Sequence, residues 1–216
     1  MAQAIKPPLW PEALPGCDQA LRLARAKASG LDAYVRERLR AQKPVNLARN
    51  ADFGSDTVAA ANEATASDWK QGGAPAGWTT WDDGRSKGTF TWDRETGCAG
   101  KGSARAANVM TGCFIQTYKV NPGECYAIQA MRRLQGQGEA AITVRWQTPS
   151  GNGRWTAEAQ DRRILPIQSS AEWAEFFAAL EVPEGAGIMV LLLGAERQSS
   201  PNDVIWYDDV GVYRLD

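Results

Sequence analysis

The last apolar stretch of the chain, Ile205-Trp206-Tyr207-Asp208-Asp209-Val210-Gly211-Val212-Tyr213, places two adjacent carboxylates inside a β-prone run. A carboxylate pair in a strand that otherwise favours burial is destabilising unless a cation, hydrogen bonds or water satisfies it. The segment therefore reads either as a metal-stapled strand or as an exposed strand end. Period-2 alternation puts Trp206, Asp208, Val210 and Val212 on one face, with Asp208 rather than Asp209 facing the core.

Other chemistry is narrowly bounded. The chain has 0 His, which removes Ser-His-Asp and Cys-His catalysis and every His-bearing metal site. Carboxylate acid/base work is left, for example among Asp82, Asp83, Asp93 and Glu95, and it needs two carboxyl groups roughly 5 to 9.5 Å apart across a cleft. Asp82 and Asp83 read more simply as acids that solvate a loop. Cys17, Cys98, Cys113 and Cys125 lack CxxC spacing, which argues against zinc; if a disulfide forms, the expected pair is Cys98 with Cys113.

At 216 residues the chain accommodates one sandwich-sized domain plus an appendage. A net charge of -1 with acids and bases intermixed provides no basic field for nucleic acid. Nine Trp against five Phe and five Tyr is an unusual ratio, because indoles are enriched where flat apolar faces meet a ligand or partner. The longest apolar run, Ile188 to Leu193, is a buried strand and far too short to span a membrane. The residues from Met1 to Pro8 form no secretory hydrophobic region, and in a chain excised from a longer protein a missing signal says little about compartment.

The elements that must position these groups divide near Pro44. Before it, Leu21, Ala24, Ala28, Leu31, Val35 and Leu39 recur at three- and four-residue steps with Arg22, Arg25, Arg36 and Arg40 between them, as in an amphipathic helix or two helices broken at Ser29-Gly30. Asp18 and Asp32 suit helix starts. The stripe must pack on the following domain or on something upstream, and the Arg face reads as solvated. From Val45 onward the signals are short strands: Cys113 to Val120, a turn at Asn121-Pro122-Gly123, Cys125 to Met131, Ala140 to Trp146, Ile188 to Leu193 and Ile205 to Tyr213. The segment from Glu172 to Leu180 is as good a strand as a helix. The stretch from Ser55 to Ala76 is long for a loop. Strands with polar turns and no interleaved helices point to an antiparallel β-sandwich, with residues 1–44 as a helical segment and 45–216 as the sandwich.

A series of motifs follows in one order: Asn46-Leu47-Ala48-Arg49-Asn50-Ala51-Asp52-Phe53; Gly77-Trp78 with Trp81; Gly102-Ser103-Ala104-Arg105; Ile115 to Val120 with Pro122-Gly123-Glu124-Cys125-Tyr126; Trp173; Val182 to Ala186; and Trp206-Tyr207-Asp208-Asp209-Val210. This series resembles the galactose-binding-like jelly-roll carbohydrate-binding modules grouped around families four, nine, sixteen and twenty-two. It covers about Val45 to Asp216, while the helical segment is similar in character to the last helices of a larger glycan-processing enzyme. The resemblance implies non-catalytic binding of an oligo- or polysaccharide, an upstream catalytic domain in the same chain, and an extracellular or periplasmic parent protein. It also implies a structural calcium. A jelly roll brings its first and last strands together, so Asp52 and Asp208 are expected to converge with main-chain carbonyls near Lys101 and Ser103, an oxygen set suited to calcium. Gly54 stands where these modules often carry a Glu.

A sugar site needs aromatic plates flanked by amides, carboxylates or guanidinium forks. The resemblance favours Trp78 or Trp81, Gln116, Gln129 and one of Arg145 or Trp146 on a concave face, and polar contexts add Trp92 and Trp155. If Val120 opposes Glu124 in a hairpin, Gln116 faces position 128, and without a bulge only one of Gln116 and Gln129 lines the face. Trp173 and Trp206 are assigned to the core. The competing readings are an accessory sandwich without ligand and a carboxylate-based glycan-active enzyme.

Overall fold

The computed structural model describes residues 31–54, 73–85, 87–150, 153–167 and 171–215. They form α1 (Leu31–Gln42), β1 (Thr79–Asp82), β2 (Thr89–Asp93), β3 (Ser103–Ala107), β4 (Thr111–Lys119), β5 (Cys125–Gln135), β6 (Glu139–Gln147), β7 (Arg162–Ile164), β8 (Ala174–Glu181), β9 (Ile188–Glu196) and β10 (Val204–Leu215), with a short 3₁₀ turn at Glu158–Gln160. Two five-stranded antiparallel sheets pack face to face: β1-β4-β9-β6-β7, here sheet A, and β2-β3-β10-β5-β8, sheet B. The expected β-sandwich is the observed architecture.

The inner faces supply a continuous apolar core. Phe114, Ile142, Val144, Trp146, Met189, Leu191 and Leu193 come from sheet A, and Ile128, Phe176, Ile205, Tyr207, Val210 and Val212 from sheet B. Phe90 meets Phe114 edge to face at 5.1 Å between centroids, and Phe176 stacks on Tyr207 at 6.1 Å. These are geometries that add to the burial of the rings themselves.

Three expectations about local pairing are corrected. The strands on either side of Asn121-Pro122-Gly123 are not a hairpin: β4 pairs with β1 and β9 in sheet A, whereas β5 pairs with β8 and β10 in sheet B. The turn carries the chain across the sandwich, so Gln116 and Gln129 lie in different sheets. Next, the alternation through the last strand is broken by a bulge between Asp208 and Gly211, where Asp209 has φ 48. The inner face is occupied by Ile205 and Tyr207 before the bulge and by Val210 and Val212 after it, so Trp206 and Asp208 project from the other side. A bulge inserts one residue and moves the following side chains to the opposite face. Trp206 is buried with Ala107 and Val204 in a separate cluster, Trp173 at its edge, rather than between the sheets. Last, Cys98 and Cys113 are free thiols, whereas Cys125 is disulfide-bonded.

The segment from Glu172 to Leu180 resolves as β8, its alternate residues Phe176 and Ala178 facing the core. Leu21, Ala24 and Ala28 lie outside the described residues. The described part of the stripe packs on the sandwich: Val35, with Tyr34 and Leu39, sits on Ala127, Phe177, Ala179, Tyr213 and Leu215. Arg36, expected on a solvated face, instead lies 3.8 Å over the Phe177 ring and donates to Glu175 at 2.6 Å.

The chain between α1 and β1 is held by side-chain amides. Asn46 Nδ2 donates to the Val210 carbonyl, and Asn46 Oδ1 accepts from the amides of Val212 and Ala48. On the other side Gln116 Oε1 accepts from the Arg49 amide and its Nε2 donates to the Arg49 carbonyl. Asn46, from the segment itself, and Gln116, from β4, thus add to the main-chain bonds that Leu47 donates to Val212 and Ala51 accepts from Val210. Asn46→Ala leaves two amides and a carbonyl without their partner, and stability is expected to fall by about 1–3 kcal/mol. Urea unfolding should show a lower midpoint at an unchanged slope.

Candidate functional site

Because Phe114, Gln116 and Tyr118 point inward from β4, Cys113, Ile115 and Thr117 point outward, and the register carries this phase across sheet A. One outward row runs Trp81, Cys113, Gly194, Ala141; the next runs Thr79, Ile115, Leu192, Thr143, Arg163; the next holds Thr117, Val190 and Arg145. Glu196 opposes Glu139 at one end, while Gln147 at the other forms an isolated bridge with Trp155. The floor is apolar and deep: Cys113, Ile115, Ile188 and Val190 are buried although they face away from the inter-sheet core.

Over this face lies a hollow of about 310 Å³, lined by Trp81, Cys113, Ile115, Leu192, Gly194 and Trp155, with Thr111, Thr143, Arg145 and Glu196 as its polar groups. Trp81 and Trp155 are 38% and 40% exposed, Trp81 on edge strand β1 and Trp155 against the end of β6 on the same face of the sheet. Arg145 ties the second plate down: its guanidinium carbon is 4.1 Å from the Trp155 ring centroid, and its Nε donates to Asp161 at 2.8 Å. Arg163 bridges the opposed acids, donating to Glu196 at 3.1 Å and to Glu139 at 2.5 Å. Burial pushes the Cys113 thiol up to about 12, so it is protonated.

Of the residues expected to bind sugar, Trp81, Arg145 and Trp155 come together here. The others do not. Trp78 is buried against Phe53, ring centroids 5.4 Å apart. Trp92 donates from its indole to the Phe53 carbonyl at 2.7 Å and carries Arg94 over its ring, on sheet B. Trp146 is a core residue whose indole donates to the Gln160 carbonyl. Gln116 is 1% exposed and also accepts from the Tyr118 hydroxyl. Gln129 lines a different hollow, of about 510 Å³, on the outer face of sheet B beside Asn46, Asp52, Glu175, Asp209 and Tyr213. The lining residues not anticipated from the sequence are Thr111, Gly112, Cys113, Ile115, Thr143, Leu192, Gly194 and Glu196; for those on the outer face, the signal that could have found them is the period-2 phase set by Trp81 and Arg145.

The acids considered for two-carboxylate chemistry serve local structure. Asp82 accepts from the Gly84 amide, Asp83 from that of Arg85, and Asp93 from Glu95, Thr96 and the Trp206 indole; Glu95 pairs with Lys101.

The expected calcium corner is at the bulge. Asp208 is 2% exposed; its Oδ2 accepts from the Cys98 amide at 2.6 Å and its Oδ1 from the Asp209 amide at 2.7 Å. Burial pushes its carboxyl up to about 6, the charges of Asp209 and Asp52 pushing the same way and the two amides opposing. Ser103 stands one step past the Tyr207–Ala104 pair, opposite Asp208 and on the same face, and its buried Oγ lacks a hydrogen-bond partner. A carboxylate held against two neighbouring acids beside an unsatisfied hydroxyl is a donor set that fits a hard cation. Among the described residues no group of three or more Asp, Glu, Cys or His side chains stands close enough to hold a metal alone, so main-chain oxygens and Ser103 would have to complete it. The Lys101 ammonium itself pairs with Glu95, which leaves only its carbonyl for such a role.

No protein-family model and no curated protein matches this chain. Solved structures do resemble it. The enzymatically active domain of tailspike protein 4 from bacteriophage CBA120 is 14% identical, with a TM-score of 0.51 over 79% of this chain and 22% of that one, so the chain spans about a fifth of its length. The Stig cyclase Fisc from Fischerella sp. TAU, solved with an indole compound, is 12% identical, with a TM-score of 0.51 over 77% of this chain and 94% of that one. Structural neighbours also include carbohydrate-binding modules of families 4 and 22. Among them, the CBM22-1 xylan-binding domain of Xyn10C from Paenibacillus barcinonensis is 13% identical, with a TM-score of 0.49 over 80% of this chain and 96% of that one. At these identities what the chain shares with the tailspike domain and the cyclase is a fold.

Proposed function

We propose that this chain binds a saccharide without turnover, in the hollow on the outer face of sheet A. The observation that carries the reading is the pair of exposed indoles, Trp81 and Trp155, on opposite sides of one apolar-floored hollow. A fold shared by enzymes and binding modules does not decide function, so the argument rests on the site. A pyranose ring presents C–H groups to an indole and hydroxyls around its rim; Thr143, Arg145 and Glu196 stand where a rim would meet them. Hydrolysis by two carboxylates needs an acid on each side of the scissile bond, whereas Glu196, the one carboxylate among the described lining residues, is paired with Arg163. Binding should fall in the micromolar to millimolar range, roughly 4 to 8 kcal/mol.

Weak binding becomes useful by tethering. In this reading an upstream catalytic domain in the same chain is kept at high effective concentration on a polysaccharide. The disulfide at Cys125 supports an oxidising compartment, extracellular or periplasmic. Asp208 and Asp52, with the Ser103 hydroxyl and main-chain oxygens near Lys101, would hold a calcium ion that neutralises the carboxylates at the bulge.

Trp81→Ala and Trp155→Ala should each weaken glycan binding roughly tenfold or more, while Trp92→Ala and Gln129→Ala leave it unchanged. Affinity electrophoresis against a panel of soluble polysaccharides, followed by calorimetry on the best ligand, reads this directly. Gln116→Leu separates the two roles of the amide: it should lower the unfolding midpoint and keep the affinity of the folded protein.

The calcium corner predicts a sign. With a chelator present, Asp208, whose carboxyl is raised from 3.8 to about 6 in the fold, adds stability below pH 4 that is lost as the pH rises to about 6. The loss is on the order of 3 kcal/mol. Urea unfolding across pH 4 to 7 should show this decline, and Asp208→Asn should flatten it. Calcium should restore the melting temperature of the parent protein at pH 7 and leave Asp208→Asn unmoved; an equal response in both rules the site out.

A further inference from the structure

We infer that the outer face of sheet B carries a second saccharide site, which takes an acidic sugar by setting its carboxylate between Arg105 and Arg133 and its ring against Trp173. The site lies on the opposite face of the sandwich from the sheet A hollow and does not depend on it. The core-facing positions of these strands are Ala104 and Ala106 on β3, Ile205 and Tyr207 on β10, and Ile128 and Ala130 on β5. Their alternates face out, and the register sets Thr91, Arg105, Trp206 and Arg133 side by side in one outward row. Trp173, just before β8, packs on the cluster around Trp206 and is only partly buried.

The two guanidinium groups are what calls for a ligand. Elsewhere on the sandwich arginines are matched to acids: Arg36 to Glu175, Arg145 to Asp161, Arg163 to Glu139 and Glu196, and Arg214 to Glu124. Among the described residues neither the Arg105 nor the Arg133 guanidinium has an ion pair or a hydrogen bond; Arg133 lies over the Trp206 ring, 5.6 Å from its centroid. The acid nearest this row by register, Asp93, is already filled, Oδ1 by the amides of Glu95 and Thr96 and Oδ2 by the Trp206 indole. Strands β3 and β5 flank β10, so Arg105 and Arg133 start roughly 10 Å apart, a gap that two long side chains can close from either side. Like charges so placed repel until an anion stands between them. Covering Trp206 takes only the stems of these arginines. Their forks are left to bind, and a guanidinium fork matches a carboxylate with two parallel hydrogen bonds. The choice of a sugar over another acid rests on Trp173, because a part-exposed indole beside the guanidinium pair offers a pyranose ring its apolar plate.

The test titrates a galacturonic acid trisaccharide, the same trisaccharide with its carboxyls methyl-esterified, and polyglutamate into the full chain, at low and at high salt. Calorimetry and the indole N–H resonance of Trp173 are the readouts. Support is binding of the acid form roughly tenfold tighter than the ester or better, weakened by salt and reduced about tenfold by Arg105→Gln or Arg133→Gln. Arg105→Lys and Arg133→Lys keep the charge without the fork and should recover only part of the loss, while Trp81→Ala should leave uronate binding unchanged. Equal affinity for acid and ester, or full affinity in both glutamine variants, overturns the inference and leaves the sheet A reading standing. Loss of uronate binding in Trp81→Ala also overturns it, by moving the ligand to sheet A. Polyglutamate bound as tightly as the trisaccharide, with the Trp173 resonance unmoved, overturns the sugar as occupant. Failure of every neutral glycan to bind sinks the sheet A reading alone.

Discussion

Strand β9 carries the constraint on which the rest depends, because it is buried on both faces. Met189, Leu191 and Leu193 belong to the inter-sheet core, while Ile188, Val190 and Leu192 form the floor of the outer cluster. An antiparallel sheet with one solvated face normally alternates apolar and polar residues. The near-continuous apolar run IMVLLL breaks that rule, and a strand doubly buried at the centre of a five-stranded sheet means that the outer face is a recess. The flanking strands follow: β4 contributes Cys113 and Ile115 to the same floor, and the indoles stand where the sheet ends, Trp81 on edge strand β1 and Trp155 in the turn beyond β6. A recess with an apolar base and aromatic ends results from burying one strand twice.

How much of this could be read from residues alone differs by element. The long strands β4, β5, β6, β9 and β10 were legible because each carries enough apolar residues to set a phase. Strands β1, β2, β3 and β7 were not, being three to five residues long and rich in Thr, Ala, Ser and Arg; they exist because a neighbour supplies their hydrogen bonds, which is a tertiary cause. The supposed hairpin at Asn121-Pro122-Gly123 failed for the same reason. Turn chemistry predicts that the chain reverses, but whether the reversed strand joins the same sheet or the facing one is decided by the partners available, and β8, β9 and β10 lie far along the sequence. The bulge at Asp209 left no local signal other than the acid pair itself.

The site residues divide along a physical line. Trp81, Arg145 and Trp155, expected to bind sugar, line one hollow because the strand phase turns all three outward from sheet A. Gln116 and Asn46 behave differently. Amides suit sugar hydroxyls and main-chain groups equally, since both need a paired donor and acceptor. In this fold Gln116 serves the backbone at Arg49, and Asn46 serves β10. A jelly-roll-like sandwich whose first segment enters irregularly has backbone groups to satisfy at that corner, and satisfying them outranks lining a cleft. Trp78 and Trp146 lie on the inner side for a simpler reason: each is one residue or one phase step away from an outward neighbour, and alternation decides.

The two hollows differ in chemistry more than in size. The larger recess, on sheet B, is lined by Asp52, Glu175 and Asp209 and presents acids rather than indoles, with the helix held close by through Arg36 on Glu175. The smaller one has the aromatic plates. The two are nevertheless joined through β10. Tyr207 sends its hydroxyl across the core to the Gly194 carbonyl, and within 3.4 Å of that of Ala141, directly beneath the sheet A floor. Its neighbour Asp208 projects from the opposite side of the same strand into the acidic corner. The position of that hydroxyl is fixed by the strand register, which the bulge terminates one residue later. Whatever neutralises Asp208, a proton or a cation, therefore acts on the residue next in sequence to Tyr207, whose hydroxyl meets the floor of the recess from beneath.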